Sequence, residues 1–389
     1  MNYNFDEEFS LTGSGSIKWD QWKDQGVLGM ANADMDFKAA DCVITALKET
    51  AEKGMFNYHY KPDIHYQTII DWYKRKFGWN VKKEWILNAP GVWIAVHICF
   101  EAFTRAGEKI IVQTPHFHPI QTIADRMGRH VITNPMILEN GKYELDFEDF
   151  EQKIIENRPA MYFMVNLQNP TGRLFTEEEV KKLMEICCRH HVLVVSDEVH
   201  SNIRYGRGHA PAPSVSEEAL HNAIVLNAAS KGYNTMDLTY CVIIAPDERL
   251  RRILTETLES YRLDFATNIF SVAGTTAAFS EEADVWTEEV TSYLEQSLNH
   301  IMDYFERYMP KIKPIRPEGS FLIWLDCREL GLTPEQLKEL FITKAKVGLT
   351  MGDSYGPDGV GFVRLNFGCT HKVLNEGLYR IRKAVEECL

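Results

Sequence analysis

Three residues that can act together on a small molecule each come shortly after an apolar run of the sequence. They are Asn169, Asp197 and Lys231, in that order along the chain. The apolar runs predict buried strands, and ligand groups of an α/β sheet gather just past the ends of such strands. Pyridoxal phosphate (PLP) requires a lysine that bonds to its aldehyde and an acid that pairs with its pyridinium nitrogen. The runs are Met161–Val165, Val192–Val195 and Ala223–Leu226.

Each of these residues also has an ordinary structural explanation. Lys231, taken alone, is most simply an exposed loop lysine, and Asn169 and Asp197 are suited to turns and helix caps. Their joint placement after three predicted strands favours the PLP site. Two further features agree with it. Gly91 and Val92 open an apolar helix, whose backbone N–H groups can approach an anion. Phe117 follows another strand and is either a core residue or a platform for a flat cofactor ring.

The composition indicates a globular chain that does not bind nucleic acid or membranes. The 389 residues carry a net charge of −13 with no run of Lys or Arg, which disfavours both kinds of partner. No apolar stretch approaches the roughly 18 residues of a membrane span, and the N-terminus is acidic. The eight cysteines are scattered without a C-x-x-C pair, so we expect free thiols, a cytoplasmic location and no metal site.

The order of the predicted elements defines the fold class. Strands alternate with helices up to about residue 245, and a capping box at Thr176–Glu179 begins one of the helices. This alternation predicts an α/β fold with its site at the carboxyl edge of the sheet. Helices and two late strands then predict a smaller α+β domain. We expect an N-terminal arm with part of the small domain at 1–45, a large PLP-binding domain at 46–285 and a small C-terminal domain at 286–389.

Several motifs, read together, are specific for a known fold and cofactor. They are Lys18-Trp19-Asp20, Ala33-Asp34-Met35-Asp36-Phe37, Pro90-Gly91-Val92, Asn169-Pro170-Thr171-Gly172-Arg173, Ser196-Asp197-Glu198-Val199-His200-Ser201, Ser230-Lys231 and Phe362-Val363-Arg364-Leu365-Asn366. Through them the sequence resembles the fold-type I PLP-dependent enzymes of the aspartate aminotransferase superfamily. It is most similar there to the cystathionine β-lyase/C–S lyase family, the MalY/PatB group. The resemblance runs from about Lys18 to the C-terminus and implies a large domain with a mostly parallel seven-stranded sheet flanked by helices.

The resemblance implies a role for each residue around the cofactor. Lys231 is expected to bond to PLP and, once freed by substrate, to act as the base for the α-proton. Asp197 is expected to keep the pyridinium nitrogen protonated, so that the ring can accept electrons. Asn169 is expected to donate a hydrogen bond to the phenolic oxygen of the ring, with His200 near the same oxygen. Ser230 is also expected at the cofactor. For His200, a purely structural role is the alternative.

The resemblance also implies how the rest of the cofactor is held. Phe117 is expected to stack on the ring, and the backbone of Gly91 and Val92 to cap the phosphate. Tyr58 matches a tyrosine that reaches the phosphate and substrate of the neighbouring subunit. The implied assembly is therefore a homodimer with composite active sites.

The substrate side of the site involves two charged residues. Arg364 matches the arginine that grips the α-carboxylate of an amino-acid substrate through a two-pronged pair. A surface salt bridge is the structural alternative for this residue. Asp34, in the Ala33–Phe37 motif, is also expected on the substrate side.

Several positions depart from the pattern of the family. Asn57 stands where a glycine is usual, Trp93 is bulkier than the usual valine, and Ala228 replaces a hydroxyl residue. Met236 and Asp237 stand where small residues are usual. These changes leave PLP binding as the expectation and leave the substrate open.

The residues and the resemblance together favour one activity and leave two alternatives. The first is a C–S lyase that eliminates a thiol from L-cystathionine or a related L-cysteine S-conjugate, leaving pyruvate and ammonia. The second is an aminotransferase, which needs the same Lys231, Asp197 and Arg364. The third is a PLP-binding regulator without turnover.

Overall fold

Strands and helices alternate along the chain in the computed structural model, which describes residues 2–206 and 208–388. The strands are β1 Leu28–Gly29, β2 Ile86–Ala89, β3 Lys109–Thr114, β4 His130–Pro135, β5 Ile137–Glu139, β6 Lys142–Glu144, β7 Met161–Val165, β8 Leu193–Asp197, β9 Ala223–Asn227, β10 Cys241–Ile244, β11 Lys313–Ile315, β12 Leu322–Asp326, β13 Val347–Gly348, β14 Thr350–Met351 and β15 Phe362–Asn366. The α-helices are α1 Ile17–Asp20, α2 Asp41–Glu52, α3 Asp63–Phe77, α4 Val92–Phe103, α5 Pro119–Arg126, α6 Phe147–Asn157, α7 Glu177–Arg189, α8 Glu217–Leu220, α9 Ala229–Gly232, α10 Glu248–Ser260, α11 Ile269–Ala278, α12 Glu282–Tyr308, α13 Pro334–Lys338 and α14 His371–Cys388.

A seven-stranded sheet with the order β2-β10-β9-β8-β7-β3-β4 is the framework of the fold. Strand β10 runs antiparallel to both of its neighbours, and the other neighbouring pairs are parallel. The predicted α/β class with a mostly parallel seven-stranded sheet is thus confirmed. The three strands that precede Asn169, Asp197 and Lys231 are β7, β8 and β9, which are adjacent in the sheet.

Both faces of this sheet are buried, which explains the apolar runs of the sequence. Ile110 and Val112 of β3 belong to one hydrophobic cluster, and Ile111 between them belongs to another. Successive side chains of a strand point to opposite faces, so a strand covered on both sides requires apolar residues at every position. Helix α7 covers one face and begins at the predicted capping box, in which the Thr176 and Glu179 side chains each bond the other residue's backbone.

A second sheet follows later in the chain, with the order β11-β12-β15-β14 and antiparallel pairing throughout. The N-terminal arm joins this part of the molecule, because β1 pairs in parallel with β13. The division at 1–45, 46–285 and 286–389 remains a prediction, and its second boundary falls inside helix α12. The cysteines of the described residues are all free thiols, as expected. None of the described helices has the length and apolar character needed to cross a bilayer.

A buried ion pair attaches the arm to the segment that follows it. The Lys18 ammonium lies 3.1 Å from Asp36 Oδ2, and both side chains are almost fully buried. Trp19 Nε1 also donates to Asp36 Oδ1 at 3.0 Å. Burial raises the pKa of Asp36, and the nearby Lys18 charge and the two hydrogen bonds oppose that rise.

We predict that Lys18→Met destabilises the fold, because it leaves the Asp36 carboxylate buried without its cation. Breaking a buried pair in this way typically costs about 3–5 kcal/mol. The double variant Lys18→Met with Asp36→Asn should lose less, since it removes both charges. The loss in the single variant should also shrink in acid, because protonated Asp36 carries no charge. Urea unfolding at pH 5 and pH 8 measures both effects, and a single variant as stable as the parent at pH 8 would contradict the prediction.

Candidate active site

The carboxyl ends of β7, β8 and β9 bring the predicted cofactor residues to one edge of the sheet. Asp197 is the last residue of β8 and pairs in register with Val165 and Leu226 of the flanking strands. Asn169 follows β7, and Lys231 lies on the short helix α9 directly after β9. Parallel neighbours end at the same edge, so residues far apart in sequence meet there.

Lys231 has its amine surrounded by protein. Its Nζ donates a hydrogen bond to the Ala33 carbonyl at 2.7 Å. Burial lowers the pKa of Lys231 to about 7, and the positive charge of Arg364 adds to this effect, whereas Asp34 and Asp197 oppose it. A lysine in this condition has a large neutral fraction near physiological pH, which both a nucleophile and a proton acceptor require.

Asp197 is buried beside Lys231. Its Oδ1 accepts a hydrogen bond from the Val199 backbone N–H at 3.1 Å. Burial raises the pKa of Asp197 to about 6, although that hydrogen bond and the Lys231 charge lower it. A buried carboxylate with an elevated pKa gains stability from a cationic ring nitrogen placed against it.

Arg364, in the middle of β15, reaches the same space from the second sheet. Its Nη1 donates to Asn169 Oδ1 and its Nη2 to the Ala31 carbonyl, each at 2.9 Å. Its Nε is buried and has no hydrogen-bond partner among the described residues. The residue is buried, so the structure rules out the alternative of a surface salt bridge. The guanidinium also lies 5.5 Å from the centre of the Tyr355 ring.

The strap, which we define as residues 31–37, connects these two cations. Its carbonyl groups at Ala31 and Ala33 accept from Arg364 and Lys231 respectively. These two hydrogen bonds show that the Ala31 and Ala33 carbonyl groups face the two basic side chains. Asp34 follows Ala33 directly, and its charge stabilises the protonated form of Lys231.

Phe117, the predicted aromatic platform, lies beside other aromatic side chains. Phe117 is partly buried just after β3, and its ring centre lies 5.5 Å from that of Trp93 and 6.2 Å from that of Tyr355. The bulky Trp93 therefore extends an aromatic wall beside Phe117. Gly91 precedes helix α4 with a φ of 117°, a conformation that favours glycine. Its backbone and that of Val92 form the helix N-terminus expected to face an anion.

The remaining predicted residues occupy different environments. His200 is buried with its Nδ1 3.2 Å from Ser320 Oγ, and burial holds its pKa well below the usual range. Ser230 lies on α9 beside Lys231 and is partly buried. Tyr58 lies in the extended segment between α2 and α3 and is 96% exposed in the single chain. Met236 and Asp237 are also exposed.

The sequence prediction assigned no role to several residues that hold the strap. Asn366 Nδ2 donates to the carbonyl groups of Asn32 and Asp34. Lys18 Nζ donates to the Asp34 carbonyl at 3.1 Å. Asn234 bonds the strap at Met35 and beyond. All three residues lie within or beside the quoted motifs, but the contacts of Asn234 with Met35 and of Asn366 join segments that are 199 or more positions apart.

The residues present fit PLP. A reactive lysine, a buried carboxylate at the end of the next strand, and an arginine with a buried unpartnered Nε correspond to the aldehyde, the ring nitrogen and a substrate carboxylate. This fold and this site define a fold-type I PLP-dependent enzyme. The chain matches the family described as aminotransferase class I and II over residues 25–381, and it belongs to that family.

Individual relatives agree with this family. The chain is 35% identical over 387 residues to cystathionine β-lyase PatB of Bacillus subtilis, covering 98% of this chain and 100% of the relative. It superimposes on the PLP-containing cystalysin of Treponema denticola with a TM-score of 0.96 and 26% identity, over 100% of both chains. A PLP-bound protein of Clostridium difficile 630, provisionally named an aminotransferase, gives a TM-score of 0.95 at 36% identity, over 99% of this chain and 100% of that one.

These relatives confirm the resemblance to the C–S lyase family and the expectation of PLP. The protein is therefore a PLP-dependent enzyme of the C–S lyase and aminotransferase kind.

We predict that the Lys231 amine of the cofactor-free protein titrates near pH 7 and responds to Arg364. A neighbouring cation disfavours the protonated amine, so Arg364→Gln should raise the pKa of Lys231. Arg364→Lys keeps the charge and should leave the pKa near that of the parent. Competitive acetylation as a function of pH, followed by peptide mass spectrometry, measures the Lys231 pKa directly. A pKa that does not move in Arg364→Gln would contradict the prediction.

Proposed function

We propose that the protein is a C–S lyase that acts on L-cysteine S-conjugates such as L-cystathionine. In this reaction the α-proton and the β-thiolate leave the substrate, and water then releases pyruvate and ammonia. One observation carries the proposal. Lys231 and Arg364 bond carbonyl groups two residues apart on the strap, so a base and a carboxylate-binding group face the same small space.

Arg364 is proposed to bind the α-carboxylate of the substrate. Its guanidinium now donates to Asn169 and to the Ala31 carbonyl, while its Nε has no partner in the described structure. A carboxylate can accept two parallel hydrogen bonds from the guanidinium, and these charge-assisted bonds are stronger than bonds to neutral carbonyl oxygens. Binding of a carboxylate at this position would orient the substrate with its Cα toward Lys231.

Lys231 is proposed to hold the cofactor and then to take the α-proton. When bound, PLP supplies a ring that accepts the electrons left at Cα. Asp197 favours this by keeping the proton on the ring nitrogen, while Asn169 Nδ2 can donate toward the phenolic oxygen. With its pKa near 7, Lys231 is neutral in a large fraction of molecules at neutral pH and can accept a proton.

The comparisons bear on the choice between the activities without agreeing on one. The PatB relative is named a cystathionine β-lyase, which supports elimination. The family description and the Clostridium difficile neighbour support an aminotransferase, which would use the same Lys231, Asp197 and Arg364. A regulator without turnover is disfavoured, because the relatives are enzymes. We therefore propose elimination first and transamination second.

Product analysis tests this choice. We predict that purified holoenzyme converts L-cystathionine to pyruvate without any added keto acid, because elimination needs no amino acceptor. The Lys231→Ala variant should lose activity by several orders of magnitude, and borohydride should no longer fix cofactor to the peptide that contains position 231. Pyruvate and thiol are measured by coupled assay and thiol titration. Product formation only when 2-oxoglutarate is present would assign an aminotransferase instead.

We also propose that the working unit is a homodimer in which Tyr58 serves the neighbouring site. The segment around Tyr58 exposes an unusual amount of apolar surface, which marks an interface. The exposed fractions of these side chains are 62% or more in the single chain, for Met55, Phe56, Tyr58, Tyr60 and Ile64. Symmetric dimers are the commonest oligomers. A phenolic O–H from the partner would compensate for the hydroxyl that Ala228 does not supply.

A complementation experiment tests this arrangement. Tyr58→Phe chains and Lys231→Ala chains should each be impaired alone, and mixing them should restore activity. Random exchange of equal amounts makes half of the dimers mixed, and each of those has one intact site, so about a quarter of all sites recover. Subunit exchange is verified with differently tagged chains. If exchange occurs without any recovery, Tyr58 does not act across the subunit boundary.

A further inference from the structure

Asn234, three residues after Lys231, makes an unusual set of contacts with the strap. Its Oδ1 accepts from the Met35 N–H at 3.0 Å, and its Nδ2 donates to the carbonyl groups of Met35 at 2.9 Å and Phe37 at 2.7 Å. One amide side chain therefore satisfies three backbone groups of the strap. Asparagine presents an acceptor and two donors on a single planar group, so the arrangement uses its full donor capacity.

The backbone at Asn234 is shaped for this contact. Its φ is +53°, in the left-handed region that asparagine tolerates better than most residues. This conformation follows directly on helix α9, which carries Lys231. The position of the Asn234 side chain is thereby tied to the position of the reactive lysine by three residues of chain.

The strap is held from two sides. Lys18 and Asn366 bond the carbonyl groups of residues 32 and 34, which fixes the strap to the arm and to β15. The hydrogen bonds from segment 229–234 to the strap come from Lys231 and Asn234. Lys231 gives up its bond to Ala33 whenever its amine is engaged in bonding to the cofactor. Asn234 is then the side chain of this segment that still bonds the strap, through the backbone of Met35 and Phe37.

From this geometry we infer that Asn234 is a positioning residue, which aligns the Ala33 carbonyl with the freed Lys231 amine so that the amine points at the substrate α-proton. The inference rests on the proposed role of Lys231 as the base. One acceptor held at a fixed place restricts the directions of the neutral amine, which can donate one N–H to that carbonyl while its lone pair faces the α-proton. Loss of such alignment slows a proton transfer without weakening the binding of the substrate carboxylate at Arg364.

The test uses Asn234→Gly in the holoenzyme. Glycine accepts the positive φ, so this change removes the side-chain contacts while sparing the backbone conformation. The matched control is Asn140→Gly, an exposed asparagine with a φ of +50° in the turn between β5 and β6. The second variant is Asn234→Asp, which keeps the acceptor for Met35 N–H and loses both donors. PLP content and circular dichroism are recorded first and should match those of the parent.

Two readouts are needed, one of them independent of turnover. Hydrogen–deuterium exchange of substrate-free holoenzyme should show faster exchange of the Met35 amide in Asn234→Gly, a smaller change in Asn234→Asp, which keeps the acceptor, and no change in Asn140→Gly. In steady-state assays, kcat of the Asn234 variants should fall about tenfold to a hundredfold, while KM changes less than about threefold. The kinetic isotope effect of α-deuterated substrate should rise, because proton removal becomes slower than the other steps. These kinetic measurements apply equally to elimination and to transamination.

The outcomes separate this inference from the proposed function. Unchanged exchange at Met35 in Asn234→Gly would overturn the inference, and so would faster exchange in that variant with kcat and the isotope effect unaltered. Loss of PLP from both variants would also overturn it, because Asn234 would then retain the cofactor. Failure of the proposed function would instead appear as a parent enzyme that makes no pyruvate from L-cystathionine, whatever the exchange data show.

Discussion

The structure depends most on keeping charged groups together in a space from which water is largely removed. Lys231, Asp197 and Arg364 all converge there, and each would be costly to bury alone. Neighbouring charges and backbone carbonyl groups offset the desolvation free energy of these side chains. The lowered pKa of Lys231 and the raised pKa of Asp197 are both consequences of this enclosure. The same enclosure makes the two residues useful, because it brings each near the protonation state that its chemistry requires.

The strap is the element that joins these charges. It offers carbonyl groups to Arg364 and Lys231, and it is itself held by Asn234, Asn366 and Lys18. Two of its own side chains carry charge, and one of them forms the buried pair with Lys18. A segment without helix or sheet ladder must satisfy its backbone groups through side chains. Two of the side chains that bond it, Arg364 and Lys231, are also proposed to bind substrate and cofactor, which links the position of the strap to theirs.

Each of the two sheets positions different residues of the site. The large sheet supplies Asn169, Asp197 and Lys231 from the ends of adjacent parallel strands, so their spacing follows from the strand spacing. The second sheet contributes Arg364 from β15. Rigid sheets hold such groups more accurately than loops do. The exposed Tyr58 segment belongs to neither sheet, in agreement with the proposal that its site lies on another subunit.

The departures from the family pattern fall into two environments. Trp93 packs near Phe117 and enlarges the aromatic wall, and Ala228 is fully buried. Met236 and Asp237 are exposed in the single chain.

The sequence by itself determined the fold class, the cofactor and the three residues at the strand ends. Apolar runs, capping residues and the order of Asn169, Asp197 and Lys231 are local signals, and local signals report the elements that precede a site. The tertiary structure alone decided how the strap is held. Asn234 and Met35 are 199 positions apart, and Arg364 and Ala31 are 333 apart. The hydrophobic periodicity of a sequence cannot predict such pairs, because their contacts arise only when separate elements pack together.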